Sequence, residues 1–184
     1  RRPPPRASAG ADASVLAESN GTSVDDLYDI LETRLGAGQF STVHLGMRKS
    51  GKQFVAIKRV LKARMSSERL AMEARILRAV SLLHHPNLVQ LQHCIESTSA
   101  VHLVFELLPG GNLMELYEQR RGVPLPCVEA QALVHDVTCG VRALHEMGVL
   151  HRDLKLQNIM LSRERRAKIC DFGFAIFLPK HSTV

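Results

Sequence analysis

The sequence predicts an α+β fold: a small antiparallel sheet carrying one helix, followed by a mainly helical part. Three observations predict it. From Leu31 onward, short stretches rich in Val, Ile, Leu and Phe are broken by turn residues, as in paired strands. Pro109-Gly110-Gly111 then breaks the chain. Beyond that break, Leu113 to Gln119 and about Glu129 to Met147 read as helices.

The elements follow in order. Leu45 to Met47 and Phe54 to Val60 flank the turn Lys49-Ser50-Gly51-Lys52 and form a hairpin. Ser66 or Ser67 caps a helix running to about Ser81, on which Leu70, Glu73 and Leu77 share one face. A carboxylate thus interrupts an apolar stripe. Two more strands fall around Leu88 to Ile95 and Val101 to Glu106, and Gly148 ends the long helix. On that helix Gln131, His135, Thr138, Arg142 and His145 make one narrow polar stripe, so burial is expected on nearly all other sides. Residues 1–26, rich in Pro, Ala, Ser and Gly, are expected to be a disordered linker.

Composition narrows the function classes. At 184 residues and 45% apolar content the chain can bury a core of ordinary domain size. No apolar run is long enough to span a bilayer, so no membrane role is expected. The net charge of +6 sits partly in Arg1-Arg2-Pro3-Pro4-Pro5-Arg6 and is accompanied by only 4% aromatic residues. Nucleic-acid binding is therefore disfavoured. Cys94, Cys127, Cys139 and Cys170 lack both zinc spacing and disulfide density, which points to reduced thiols and a cytoplasmic, or nuclear, location.

Four motifs carry the chemistry. Leu35-Gly36-Ala37-Gly38-Gln39-Phe40-Ser41-Thr42-Val43 follows G-x-G-x-x-G-x-V with serine at the third glycine. Side-chain-free positions there let backbone amides approach phosphate oxygens. A dinucleotide-binding loop would need a helix next, and Val43-His44-Leu45-Gly46 reads as strand. Val55-Ala56-Ile57-Lys58 places a lysine on the following strand. Glu73, on the inward stripe of its helix, needs a cation to offset its burial, whereas Glu68 falls off that face. His151-Arg152-Asp153-Leu154-Lys155-Leu156-Gln157-Asn158 and Asp171-Phe172-Gly173 complete the set.

These motifs, in this order over about Leu31 to Val184, resemble those of the protein kinase family. The resemblance implies a two-lobed kinase-like fold, with residues 27–108 as the first lobe and 109–184 as the start of the second, the sequence stopping within the activation loop. It implies ATP and Mg2+ as cofactors and these roles. Lys58, paired with Glu73, meets the alpha and beta phosphates. Asp153 accepts the proton of the attacking hydroxyl, and Lys155 lies against the gamma phosphate. Asn158 and Asp171 hold the metal. Leu35, Gly36, Ala37, Gly38, Gln39, Phe40 and Ser41 cover the phosphates. Val43 and Ala56 lie above the adenine and Met160 below it, while Glu106, Leu107 and Leu108 form the hinge behind Phe105. Leu77, Leu91, His151 and Phe172 form an internal spine.

Lys155, two positions beyond Asp153, implies a kinase for serine or threonine in protein substrates, and the phenylalanines after the glycines resemble the calmodulin-dependent and polo-like branches. Neutral Asn112 and Gln157 imply weak selection for arginine ahead of the acceptor. Arg152 implies that a phosphate on Thr183 or Ser182, added by an upstream kinase, orders the activation loop. The competing reading is a non-catalytic nucleotide-binding or docking module.

Overall fold

The computed structural model describes residues 22–38 and 41–179. Ser23 opens the chain with a capping box: its hydroxyl accepts from the Asp25 amide, and Asp26 returns a bond to the Ser23 amide at 2.7 Å. The helical turn α1, Val24–Leu27, follows. This turn starts within the segment 1–26 expected to be linker. Val24 is the physical reason, because it is buried with Tyr28, Val55, Ile57, Ile95 and Val104 on the outer face of the sheet.

Five antiparallel strands follow in the spatial order β1-β2-β3-β5-β4: β1 Tyr28–Ala37, β2 Ser41–Arg48, β3 Phe54–Leu61, β4 Leu91–Glu96 and β5 Ala100–Glu106. The first strand starts at Tyr28, earlier than Leu31, because the Tyr28 ring is buried and its hydroxyl meets His93 Nδ1 at 2.6 Å. Leu88, expected within the fourth strand, instead forms an isolated bridge to Ile169. Between β3 and β4 runs α2, Ser67–Leu82, its N-cap Ser66 accepting from the Arg69 amide. Leu70, Glu73, Ile76, Leu77 and Val80 face inward.

The helical part begins with α3, Leu113–Gln119, capped reciprocally by Asn112 and Glu115. The long helix α4, Cys127–Glu146, buries Leu133, Asp136, Gly140, Ala143 and Leu144. It stops at Gly148, whose φ of +70° is the left-handed turn a glycine adopts without penalty. The polar stripe expected on α4 is exposed, but Val128 and Val134 are exposed too, at 78% and 66%. Among the described residues only one face of α4 is covered, against the strands Ala167–Ile169 and Val149–Leu150. Two short two-stranded sheets complete the described chain: β6 Val149–Leu150 with β9 Ile176–Phe177, and the hairpin of β7 Ile159–Leu161 with β8 Ala167–Ile169. No helix among the described residues is long and apolar enough to cross a membrane.

One apolar cluster joins the two parts. It gathers Leu70, Leu77 and Val80 of α2, Leu91 and Leu103 of the sheet, Ala143 and Leu144 of α4, and Phe172. Burial of this kind is worth about 1.5–3 kcal/mol for each large side chain. That cluster forms the floor beneath the cleft where the motifs meet.

Candidate active site

Strand pleat and helix periodicity aim the charged groups at one point. Lys58 stands opposite Val43 on β2 and Leu103 on β5, between Ile57 and Arg59, which point to the other face of the sheet. Glu73 lies at i+3 from Leu70 and is 2% exposed. Lys58 Nζ donates to Glu73 Oε1 at 2.7 Å and to Asp171 Oδ1 at 2.9 Å. Burial alone would push the lysine's pKa down, but Glu73 and then Asp171 outweigh it and hold the group above its ordinary value. Burial would likewise raise Asp171, yet Lys58 holds that carboxyl below its usual range. Lys58 and Asp171 are therefore both charged at neutral pH. Among the described residues Glu73 Oε2, also buried, has no hydrogen-bond partner.

The second cluster lies on the loop after β6. Asn158 Nδ2 donates to the Asp153 carbonyl at 2.8 Å and to Asp153 Oδ2 at 2.9 Å, and Lys155 Nζ reaches the same Oδ2 at 2.8 Å. These bonds occupy one carboxylate oxygen of Asp153. The amide orientation of Asn158 also leaves its own carbonyl oxygen available as a ligand. His151, 3% exposed, donates from Nε2 to the Cys170 carbonyl at 3.0 Å and accepts at Nδ1 from the Asp153 amide at 3.3 Å. That pattern requires a neutral ring, and burial correspondingly lowers the His151 pKa. The ring also packs 5.1 Å from Phe172, which shares the core with Leu77 and Leu91. Asp171 sits at φ +61° and Arg152 at φ +64°, left-handed conformations that surrounding contacts must hold in place.

The cleft walls come from the sheet and the β7–β8 hairpin. Gly36 pairs with Val43, and the Gly38 amide donates to the Ser41 carbonyl at 2.9 Å. The glycine-rich stretch is thus the tip of the β1–β2 hairpin, where one glycine amide is already used. Ala56 stands opposite Phe105 at the end of β5, Leu108 is buried, and Met160 lies on β7 with a bridge to Asn112. Leu35 and Ala37 are exposed at the mouth. Gln39, Phe40, Ser182 and Thr183 lie outside the described residues.

Several contacts escaped the sequence reading. Glu106, expected to act through its backbone, also binds Lys168 Nζ with both carboxylate oxygens, at 2.6 and 2.9 Å, and accepts from the Gln90 amide at 3.0 Å. Asp136, on the inward face of α4, holds the Arg166 guanidinium and the Ala167 amide. It is the same signal as Glu73, a carboxylate on an apolar face, and could have been found the same way. Arg152 donates from Nε to the Phe174 carbonyl at 2.7 Å. The Asn112 side chain is taken up by capping α3.

A lysine held between two carboxylates, facing an asparagine, an aspartate and a glycine hairpin across a two-part fold, defines a class of protein that handles phosphates. The model of the protein kinase domain matches residues 30–184, and the chain belongs to the protein kinase family. It is similar to the hormonally up-regulated neu tumor-associated kinase of Mus musculus, with 36% identity over 80% of this chain and 21% of that protein. The probable serine/threonine-protein kinase MARK-A of Dictyostelium discoideum is 34% identical over 94% of this chain and 16% of its own length. CBL-interacting serine/threonine-protein kinase 7 of Arabidopsis thaliana is 36% identical over 82% of this chain and 35% of its own. The chain therefore spans between 16% and 35% of the length of these relatives.

Proposed function

We propose that this domain transfers the gamma-phosphoryl group of Mg-ATP to serine or threonine hydroxyls of protein substrates. The observation that carries the reading is Lys58, bonded to Glu73 and Asp171 together, beside the Asp153, Lys155 and Asn158 cluster. When bound, Mg-ATP supplies the transferable phosphoryl group and the cation that offsets its charge. The residues present fit it: Asn158 and Asp171 offer hard oxygen donors of the kind magnesium takes, and Lys58 offers a fixed positive charge.

In this reading Glu73 orients Lys58 toward the alpha and beta phosphates. Amides of the hairpin tip lie over the phosphates, and Val43, Ala56 and Met160 enclose the base against the hinge at Glu106 to Leu108. Among the described residues Asp153 Oδ1 has no hydrogen bond, so it is the oxygen that accepts the proton of the acceptor hydroxyl. Lys155 donates from Nζ to Asp153 Oδ2 at 2.8 Å and offers charge to the transferred group. Thr183 or Ser182 is proposed as the site where an upstream kinase regulates the domain.

The test is nucleotide titration and phosphate transfer to a protein substrate by the purified chain. Lys58→Ala or Asp171→Ala is expected to lower transfer by about 10²-fold or more, the usual cost of one preorganised electrostatic group. Transfer by both variants near the rate of the unaltered chain would refute the assignment. Mg-ATP binding with no transfer would favour the non-catalytic module.

A further inference from the structure

We propose that α2 is clamped to the segment after Asp171 by two arginine–aromatic contacts, and that Arg69 is thereby a positioning residue for Asp171. The inference deepens the kinase reading of the same cleft and rests on it. Arg69 and Glu73 are four residues apart on α2 and so share a side of the helix. The Arg69 guanidinium carbon lies 5.0 Å from the centre of the Phe174 ring, and Nη2 donates to the Gly173 carbonyl at 3.3 Å. Further along the helix, the Arg75 guanidinium carbon lies 4.9 Å from the Phe177 ring. Phe177 in turn pairs with Val149 in the two-stranded β6–β9 sheet.

The clamp closes from below as well. Arg152 Nε bonds to the Phe174 carbonyl at 2.7 Å, so residue 174 is held on its ring by α2 and on its backbone by the Asp153 loop. Asp171 keeps its left-handed φ of +61° only while its neighbours are held, and Gly173, which Arg69 grips, is the next flexible position. Arginine suits the task because a planar guanidinium stacks and donates at the same time, which an ammonium does not.

The experiment has two arms on the same chain. In the first, amide hydrogen exchange is followed at Ala175, whose amide donates to the Phe172 carbonyl at 3.0 Å. Losing a cation–π contact and a hydrogen bond in Arg69→Ala should raise its exchange about tenfold, with α4 amides unchanged. Phe174→Leu should raise it by a smaller factor, the double variant no further than Arg69→Ala alone, and Arg69→Lys should restore it only in part. In the second arm, ATP affinity is measured with and without magnesium. Arg69→Ala should reduce the gain that magnesium gives by about tenfold, leaving metal-free affinity in place; a purely structural loss would lower both equally.

Unchanged exchange, additive effects of the two substitutions, or an equal fall in both affinities would overturn the clamp. If the unaltered chain binds no nucleotide, the kinase reading falls, and the exchange arm alone decides the clamp.

Discussion

Lys58 and Glu73 are 14% and 1% exposed at their side chains, so each is expensive to bury without the other. Removing one partner of such a pair costs about 3–5 kcal/mol, because it strands an uncompensated charge. Lys58→Met should therefore destabilise the domain by about 3 kcal/mol, a loss measurable by urea denaturation. Glu73→Gln in the same background should recover part of it, since a neutral amide tolerates burial better than a lone carboxylate. A Lys58→Met protein as stable as its parent would contradict this cost. Cys170 is a contrasting case. Burial, with Glu106 adding to it, pushes its thiol up to about 12. Only the thiolate is nucleophilic, so at neutral pH iodoacetamide should label exposed Cys127 and leave Cys170 unmodified, as peptide mass mapping would show.

Among the elements, α4 joins the helical part to the β7–β8 hairpin that lies between Asn158 and Asp171, and it does so through Asp136. Burial opposes ionisation there, but hydrogen bonds from Arg166 and the Ala167 amide win and hold the carboxyl below its usual range. Because Arg166 is 55% exposed at its side chain, water replaces Asp136 easily at that end and the pair adds little stability. The Ala167 amide is buried and would be left without a partner. Asp136→Ala should thus cost about 1.5–3 kcal/mol and Arg166→Ala distinctly less, both read from denaturant midpoints; equal costs would contradict this division. The elements themselves were largely legible, since Ser66 at the N-cap, Gly148 past the end and the i, i+3, i+7 face act locally. What the sequence hid were contacts between distant positions: Lys168 with Glu106, 62 residues apart, and Arg69 with Gly173, 104 apart. Glu106 and Gly173 stand in motifs, but Lys168 and Arg69 sit in no pattern that marks them as their partners. Asp136 could have been read as Glu73 was, while the order of Val24 depends on a sheet face that only the folded strands create.

At the scale of the whole molecule, four histidines couple the fold to pH. His85, His93, His102 and His151 all titrate below their ordinary value, with burial the leading cause in each. Hydrogen bonding agrees in three of them. Nδ1 of His85 accepts from the Asn87 amide at 3.1 Å, Nδ1 of His151 accepts from the Asp153 amide at 3.3 Å, and Nδ1 of His93 meets the Tyr28 hydroxyl at 2.6 Å. A proton on the first two would set hydrogen against hydrogen, and on His93 it would bring a charge beside Arg48. His102 Nδ1 is buried without a partner among the described residues, and Arg59 opposes its charging too. The unfolded chain binds these protons near pH 6.5, whereas the folded chain binds them only at lower pH. Stability from this source is therefore complete above about pH 6.5 and is lost as pH falls below it toward the folded values. The four sites act together from the sheet's outer face to the catalytic loop, so their losses should sum. The thermal midpoint should hold steady between pH 8 and 7 and fall progressively by pH 5, before the paired carboxylates Asp136 and Asp171, both depressed, begin to take up protons. Replacing His93 with Gln should flatten part of that fall. A midpoint that stays level or rises between pH 7 and 5 would mean that these rings are charged in the folded protein, contrary to the hydrogen bonds they make.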